Sequence, residues 1–207
     1  MALSSTAQRP AITRRNAGPL VWQRTGTVGT ELVLGAGDAP SMVTGSAVVD
    51  GPTPYTTRWH ADLDGEWRVR SLTLTCEGHG WRRDLALART AEGWTAGAER
   101  SGGPEGPPPG SKDPARLTGD TVLLLDDSPI FLTWALRHLR LGAGSSPATA
   151  PVARVGLPWL TVVPAPVTLH RVGEHRLRVT GDGPVATYDL DGDGIATYQP
   201  GRLRITR

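Results

Sequence analysis

Two adjacent carboxylates, Asp126 and Asp127, stand between an apolar run (Thr121–Leu125) and the apolar segment PIFLTWALRHL. Desolvation between such neighbours raises a carboxyl pKa toward the range useful for acid–base work. The residue types also fit a plainer role. Helix starts select aspartate because its oxygen accepts from free first-turn amides, and a second carboxylate there can pair with an arginine such as Arg137. The sequence favours this structural role over catalysis.

A second acidic motif, Asp189-Leu190-Asp191-Gly192-Asp193-Gly194, matches the first half of a calcium loop. Its twelfth position is Pro200 instead of a bidentate glutamate, and the flanks alternate as strands, so a β-hairpin tip is expected. Five histidines, His60, His79, His138, His170 and His175, show no metal-ligand spacing. There is no GxSxG elbow, and Gly26-Thr27-Val28-Gly29 lacks the lysine and helix of a phosphate loop. No cofactor and no metal are expected. Trp59, Trp67, Trp81 and Trp94 recur along successive β-prone runs. They suit either a sugar- or lipid-lined pocket or, more simply, a β-core.

The elements that must position these groups are almost all β. Only the stretch from Asp126 to Leu141 predicts a helix, opened at Asp127-Ser128-Pro129, with Asp127 or Ser128 as cap, and closed at Gly142. Its residues are apolar on nearly every side, which marks a buried helix. At ten to twelve residues it falls short of a bilayer. Around it, period-two runs are expected at 20–24, 30–34, 42–49, 55–63, 67–76, 81–88 and 94–98, then at 121–125, 159–163, 167–172, 175–180, 185–190, 195–198 and 203–206. The Gly/Pro-rich stretch 101–114 reads as a long flexible loop, and 143–151 as a second loose segment. A mainly β, antiparallel, curled sheet around one helix follows, because so many strands must hide their edges.

Composition sets outer limits. A chain of 207 residues builds its own core without staples. The lone Cys76 removes an intrachain disulfide framework and suits a reducing compartment, with the cytoplasm as the expected address. Residues 1–18 read as a disordered polar tail, and 19–207 as a single domain. No segment reads as a membrane span. Net charge is +2, and nearly all of the 22 bases are arginine, spread along strands without an aromatic-interleaved run. Nucleic acid is therefore not an expected partner.

Several pieces in order resemble the bacterial family of putative glycolipid-binding proteins. They are Tyr55 ahead of Trp67-Arg68-Val69-Arg70; Gly93-Trp94; Asp126-Asp127-Ser128-Pro129 with Thr133 and Leu136-Arg137-His138-Leu139; Pro158-Trp159-Leu160-Thr161-Val162; Asp191-Gly192-Asp193-Gly194-Ile195; and Tyr198-Gln199-Pro200-Gly201. The resemblance implies a spiral β-roll of about fifteen antiparallel strands around one α-helix, a homodimer, and a non-enzymatic role in holding a glycolipid or other lipid between sheet and helix. Candidate ligand contacts are Trp67, Arg70, Trp94, Asp127, Trp134, Arg137, His138 and Tyr198. Leu132 and Ala135 stand where the family tends to have asparagine and proline, which implies a drier interior. Two alternatives remain open: a hydrolase or isomerase using Asp126 or Asp127, and a structural dimer without a small ligand.

Overall fold

The computed structural model describes residues 18–37, 39 and 42–206. The tail expected over 1–18 lies outside the described residues, Gly18 excepted. Fifteen strands form one curled sheet. The first arm is a meander of β1 (Leu20–Arg24), β2 (Gly29–Leu34), β3 (Met42–Val49), β4 (Tyr55–Leu63), β5 (Val69–Gly78), β6 (Trp81–Arg89) and β7 (Trp94–Gly102). After the two-residue β8 (Gly110–Ser111) come β9 (Val122–Leu125), helix α1 (Ile130–His138), β10 (Ala148–Gly156) and β11 (Thr161–Arg171). The chain closes with β12 (Arg176–Thr180), β13 (Ala186–Leu190), β14 (Ala196–Gln199) and β15 (Leu203–Thr206). The arms join where β1 pairs with both β2 and β15, leaving β7 and β9 at the two ends of the order.

The pairing is antiparallel except at two places. Strands β9 and β10 are parallel, as are β8 and β11. The first follows from topology, since β9 and β10 are joined by α1, and a crossover helix connects parallel neighbours.

Alternation along the meander puts one face inside. In β4, Tyr55, Thr57, Trp59, Ala61 and Leu63 are buried while most residues between them are exposed. Helix α1 fills the roll, with every residue from Ile130 to Leu136 buried. Trp59 meets Phe131 and Trp134 edge-on, at centroid distances of 5.2 and 6.2 Å, and Phe131 lies 4.7 Å from Trp134. Gly45 makes this packing possible, because a Cβ there would fall 2.1 Å from the Trp59 ring.

Two expected loops are partly strand. Residues 101–114 begin with the end of β7 and contain β8, and the loose segment 143–151 runs into β10. The two strands expected at 159–163 and 167–172 are one, β11, running through Pro164 and Pro166. Prolines mislead here because they cost nothing where one side of a strand is unpaired. Pro151 lies just outside the part of β10 paired with β9, and Pro164 and Pro166 lie between the parts of β11 paired with β8 and β12.

The helix ends also differ from expectation. No side chain caps α1; Pro129 occupies the cap position with φ −65°. Closure comes at Arg140 instead of Gly142. Arg140 is left-handed (φ 53°), its amide donates to the Arg137 carbonyl at 3.2 Å, and the Leu141 amide donates to Leu136 at 3.0 Å. This pair of reversed bonds is a Schellman closure, with Leu141 and Leu136 both buried beside it.

Candidate functional site

The two ends of α1 carry the molecule's polar groups in different states. At its N-terminal end, Asp127 is held between Arg24 (3.0 Å) and Arg202 (2.7 Å), and Arg24 also donates to the Tyr55 hydroxyl at 3.2 Å. Asp126 pairs with Arg154. Burial pushes the Asp126 carboxyl up, against the hydrogen bond from Arg154. Glu31, 2% exposed, accepts from Trp59 Nε1 at 3.1 Å. Burial pushes Glu31 up to about 7, opposed by its neighbours Ser128, Trp59 and Arg24. Burial likewise raises Tyr55 and Tyr188 to about 12.

The expected partner for these aspartates, Arg137, is at the other end of the helix. Nine residues at about 1.5 Å each keep them apart. Three arginines from β1, β10 and the β14–β15 turn take its place, brought in by pairings distant in sequence. Each aspartate is thus matched by guanidinium, while the buried Arg24 Nε, Glu31 Oε2 and Ser128 Oγ beside them make no hydrogen bond.

The C-terminal end is built differently. The β4–β5 turn is organised by Asp64, whose Oδ1 accepts from the amides of Glu66 (2.9 Å) and Arg68 (3.0 Å). Against the cost of burial, Arg89 and these amides hold Asp64 down at about 2. The turn leaves Trp67 left-handed, φ 65°, a conformation costly for a bulky side chain. The Arg137 guanidinium stacks 4.2 Å over the Trp67 ring. His138 Nδ1 lies 3.2 Å from the Glu66 carbonyl, and burial lowers the imidazole's pKa, which favours the neutral ring.

Two concavities flank this end. The inner crevice, lined by Trp67, Val69, Leu123, Phe131, Trp134 and His138, has about 10 Å³ of space, room for about one water. This crevice between the β4–β5 turn and α1 is thus nearly filled by its own side chains. The outer cup is open and larger, about 160 Å³, and is rimmed by Arg137, Arg140, Arg171, Asp193 and Gly194 with Thr133 and Leu136 at its base. Arg171 is braced by donating to the Glu174 carbonyl at 2.9 Å.

Of the candidate contacts, Trp67, Trp134, Arg137 and His138 come together here. The others do not. Asp127 belongs to the opposite end. Arg70 points outward toward Asp62 at 3.6 Å. Trp94 is a core residue at the start of β7, and Tyr198 is exposed on β14, paired with Asp189 and Arg204. Alternation explains Arg70, whose strand neighbour Val69 takes the inward position. Sequence reasoning missed Arg140 and Arg171. The calcium-like turn does reach the cup through Asp193 and Gly194, but Asp191 spends its Oδ1 on the amides of Asp193 (3.0 Å) and Ile195 (2.9 Å). It is a hairpin tip between β13 and β14, and among the described residues no group of three or more His, Cys, Asp or Glu could hold a metal ion.

With this geometry in place, comparison is informative. Residues 19–204 match the family described as putative glycolipid-binding, and the chain belongs to that family. A crystal structure of a DUF1089-family protein from Pseudomonas aeruginosa superposes with a TM-score of 0.66 at 16% identity, covering 96% of this chain and 97% of that one. That likeness shows a shared fold. A comparison with curated proteins gave no match. Among the described residues, no helix is long and apolar enough to cross a membrane.

Proposed function

We propose that this member of the putative glycolipid-binding family is a non-enzymatic binding protein that holds the head group of a lipid in the arginine-rimmed cup at the C-terminal end of α1. The observation that carries this reading is the cup itself, an open hollow of about 160 Å³ with Arg137, Arg140 and Arg171 on its rim. Guanidinium forks suit sugar hydroxyls and, more strongly, carboxylate or phosphate. The rim is also supported from beneath, since the Arg137 guanidinium stacks 4.2 Å over the Trp67 ring.

The volumes favour head-group recognition over engulfment. Pockets that enclose a drug-sized ligand span roughly 300–1,000 Å³, more than either concavity offers. The acyl chain would therefore lie outside the roll. The charge-paired state of Asp126 and Asp127 favours binding over the hydrolase or isomerase alternative. A homodimer and a cytoplasmic address belong to the same proposal, and light scattering during size exclusion tests the former.

Calorimetry with octyl glucuronide and octyl glucoside, both below micelle formation, tests the reading. Saturable binding that is tighter for the anionic sugar and weakened in Arg171→Ala supports it. No binding of either, or equal binding by that variant, overturns it.

A further inference from the structure

Strand β6 places an arginine where a core residue belongs. Trp81, Arg83, Leu85 and Leu87 alternate inward, and Arg83 is 1% exposed. Its guanidinium carbon lies 5.0 Å from the centroid of Trp81 and 4.5 Å from that of Trp159. One nitrogen, Nη2, donates to the Pro104 carbonyl at 3.1 Å, while Nε and Nη1 have no partner. Among the described residues Arg83 forms no ion pair. Arg24, buried to a similar degree, has Asp127.

The groups facing Arg83 do not supply the missing charge. Cys76 stands opposite on β5, and burial pushes its thiol up to about 12, so it stays neutral. Opposite on β7 is Arg100, a second cation. Burial lowers the Arg83 pKa, with Cys76 opposing and Arg100 adding to the fall. A buried cation beside another cation, with donors to spare, is an arrangement that an anion completes.

The cover over this place is a strap. Residues 103–109 run from the end of β7 to β8, whose first amide is fixed to the Leu160 carbonyl at 2.9 Å. Most of the strap is exposed, yet Gly106 lies flat on Trp159, where a Cβ would come within 2.6 Å of the ring.

We propose that Arg83, with Arg100 at its rim, is a second anion-binding site, separate from the cup, that takes a small oxyanion of phosphate size beneath the 103–109 strap. The Trp81 and Trp159 centroids lie 6.5 Å apart, so the indoles flank Arg83 without sandwiching it. The ligand meets the donors Nε and Nη1 that they leave without partners. Free phosphate and a phosphate monoester both present oxygens that accept from these donors.

The test titrates the full-length protein with sodium phosphate against sodium chloride at constant ionic strength, following tryptophan fluorescence and the Arg83 Nε–H NMR signal. Saturable binding with Kd on the order of 1 mM is expected, lost in Arg83→Met and weakened about tenfold in Arg100→Met. Arg100 is exposed, so that variant keeps the assay meaningful if Arg83→Met does not fold. A parallel titration with glycerol 3-phosphate separates the sources. Equal affinity assigns a phosphate ester, and binding of phosphate alone assigns the free ion. No saturable change in the wild type, or an unchanged affinity in Arg100→Met, overturns the proposal. Phosphate can also meet the arginines of the cup, so Arg171→Ala is titrated alongside, and its phosphate affinity should equal that of the wild type.

Discussion

The two ends of α1 use the same residue types to opposite effect. At the N-terminal end, Arg24, Arg154 and Arg202 are consumed by Asp126 and Asp127, with Tyr55 and buried Glu31 beside them. At the C-terminal end, Arg140 and Arg171 make no ion pair among the described residues, and an open cup lies between them. Two features separate them, carboxylates matched to arginines and the burial of Arg24 and Glu31. Left-handed backbone occurs at both, at Asp127 (φ 57°) as at Trp67 and Arg140. A charged cluster is not a binding site when its charges are already spent. Cationic capacity left at an open surface is what a polar head group can use.

The contrast can be broken most forcefully at Asp127. Asp127→Ala strands the buried Arg24, so unfolding in urea should show a loss of about 3–5 kcal/mol, while the folded fraction binds octyl glucuronide with unchanged affinity. Weakened binding there would join the two ends. Next in size is Glu31. Its pKa is about 7 folded against 4.5 in the open chain, so the folded state holds the proton more tightly. Stability should fall as pH rises from 4.5 to about 7, by up to about 3 kcal/mol, and level off above. Glu31→Gln should flatten that slope in urea titrations at pH 5 and 8; a slope that persists would assign it to another group.

Smaller effects sharpen the other end. Arg140→Gly relieves the left-handed strain, so stability should rise by about 0.5–1 kcal/mol while calorimetry shows affinity dropping about tenfold. Loss of stability together with affinity would make Arg140 merely structural. Trp67→Ala removes the platform under Arg137, and a loss of affinity of about 0.5–1 kcal/mol is expected. An unchanged isotherm would remove Trp67 from the site.

Much of the fold was legible in the sequence. Alternation located the meander through β7, and the one all-apolar stretch located α1. What was hidden depended on long-range pairing. Pro151, Pro164 and Pro166 read as breaks, since their harmlessness rests on which strand edges are unpaired. The site was legible in part. Of the cup, Arg137 could be named from a local motif, as could Trp67 and His138 of the crevice beside it, whereas Arg171 arrives from β11. Arg140 was passed over because Gly142, two residues on, offered the more ordinary helix stop. The arginine partners of Asp126 and Asp127 could not be assigned from a helix-local view, since Arg24 and Arg202 come from opposite ends of the chain.

The most direct measurement is an amide and side-chain NMR titration of the labelled protein with octyl glucuronide. Binding at the open end of α1 predicts saturable shifts confined to the Trp67 indole, Arg137, Arg140, Arg171 and Gly194, with Arg24, Asp127 and Arg202 unmoved. Shifts centred on Asp127 and Arg202, or no saturable shifts at all, would contradict it.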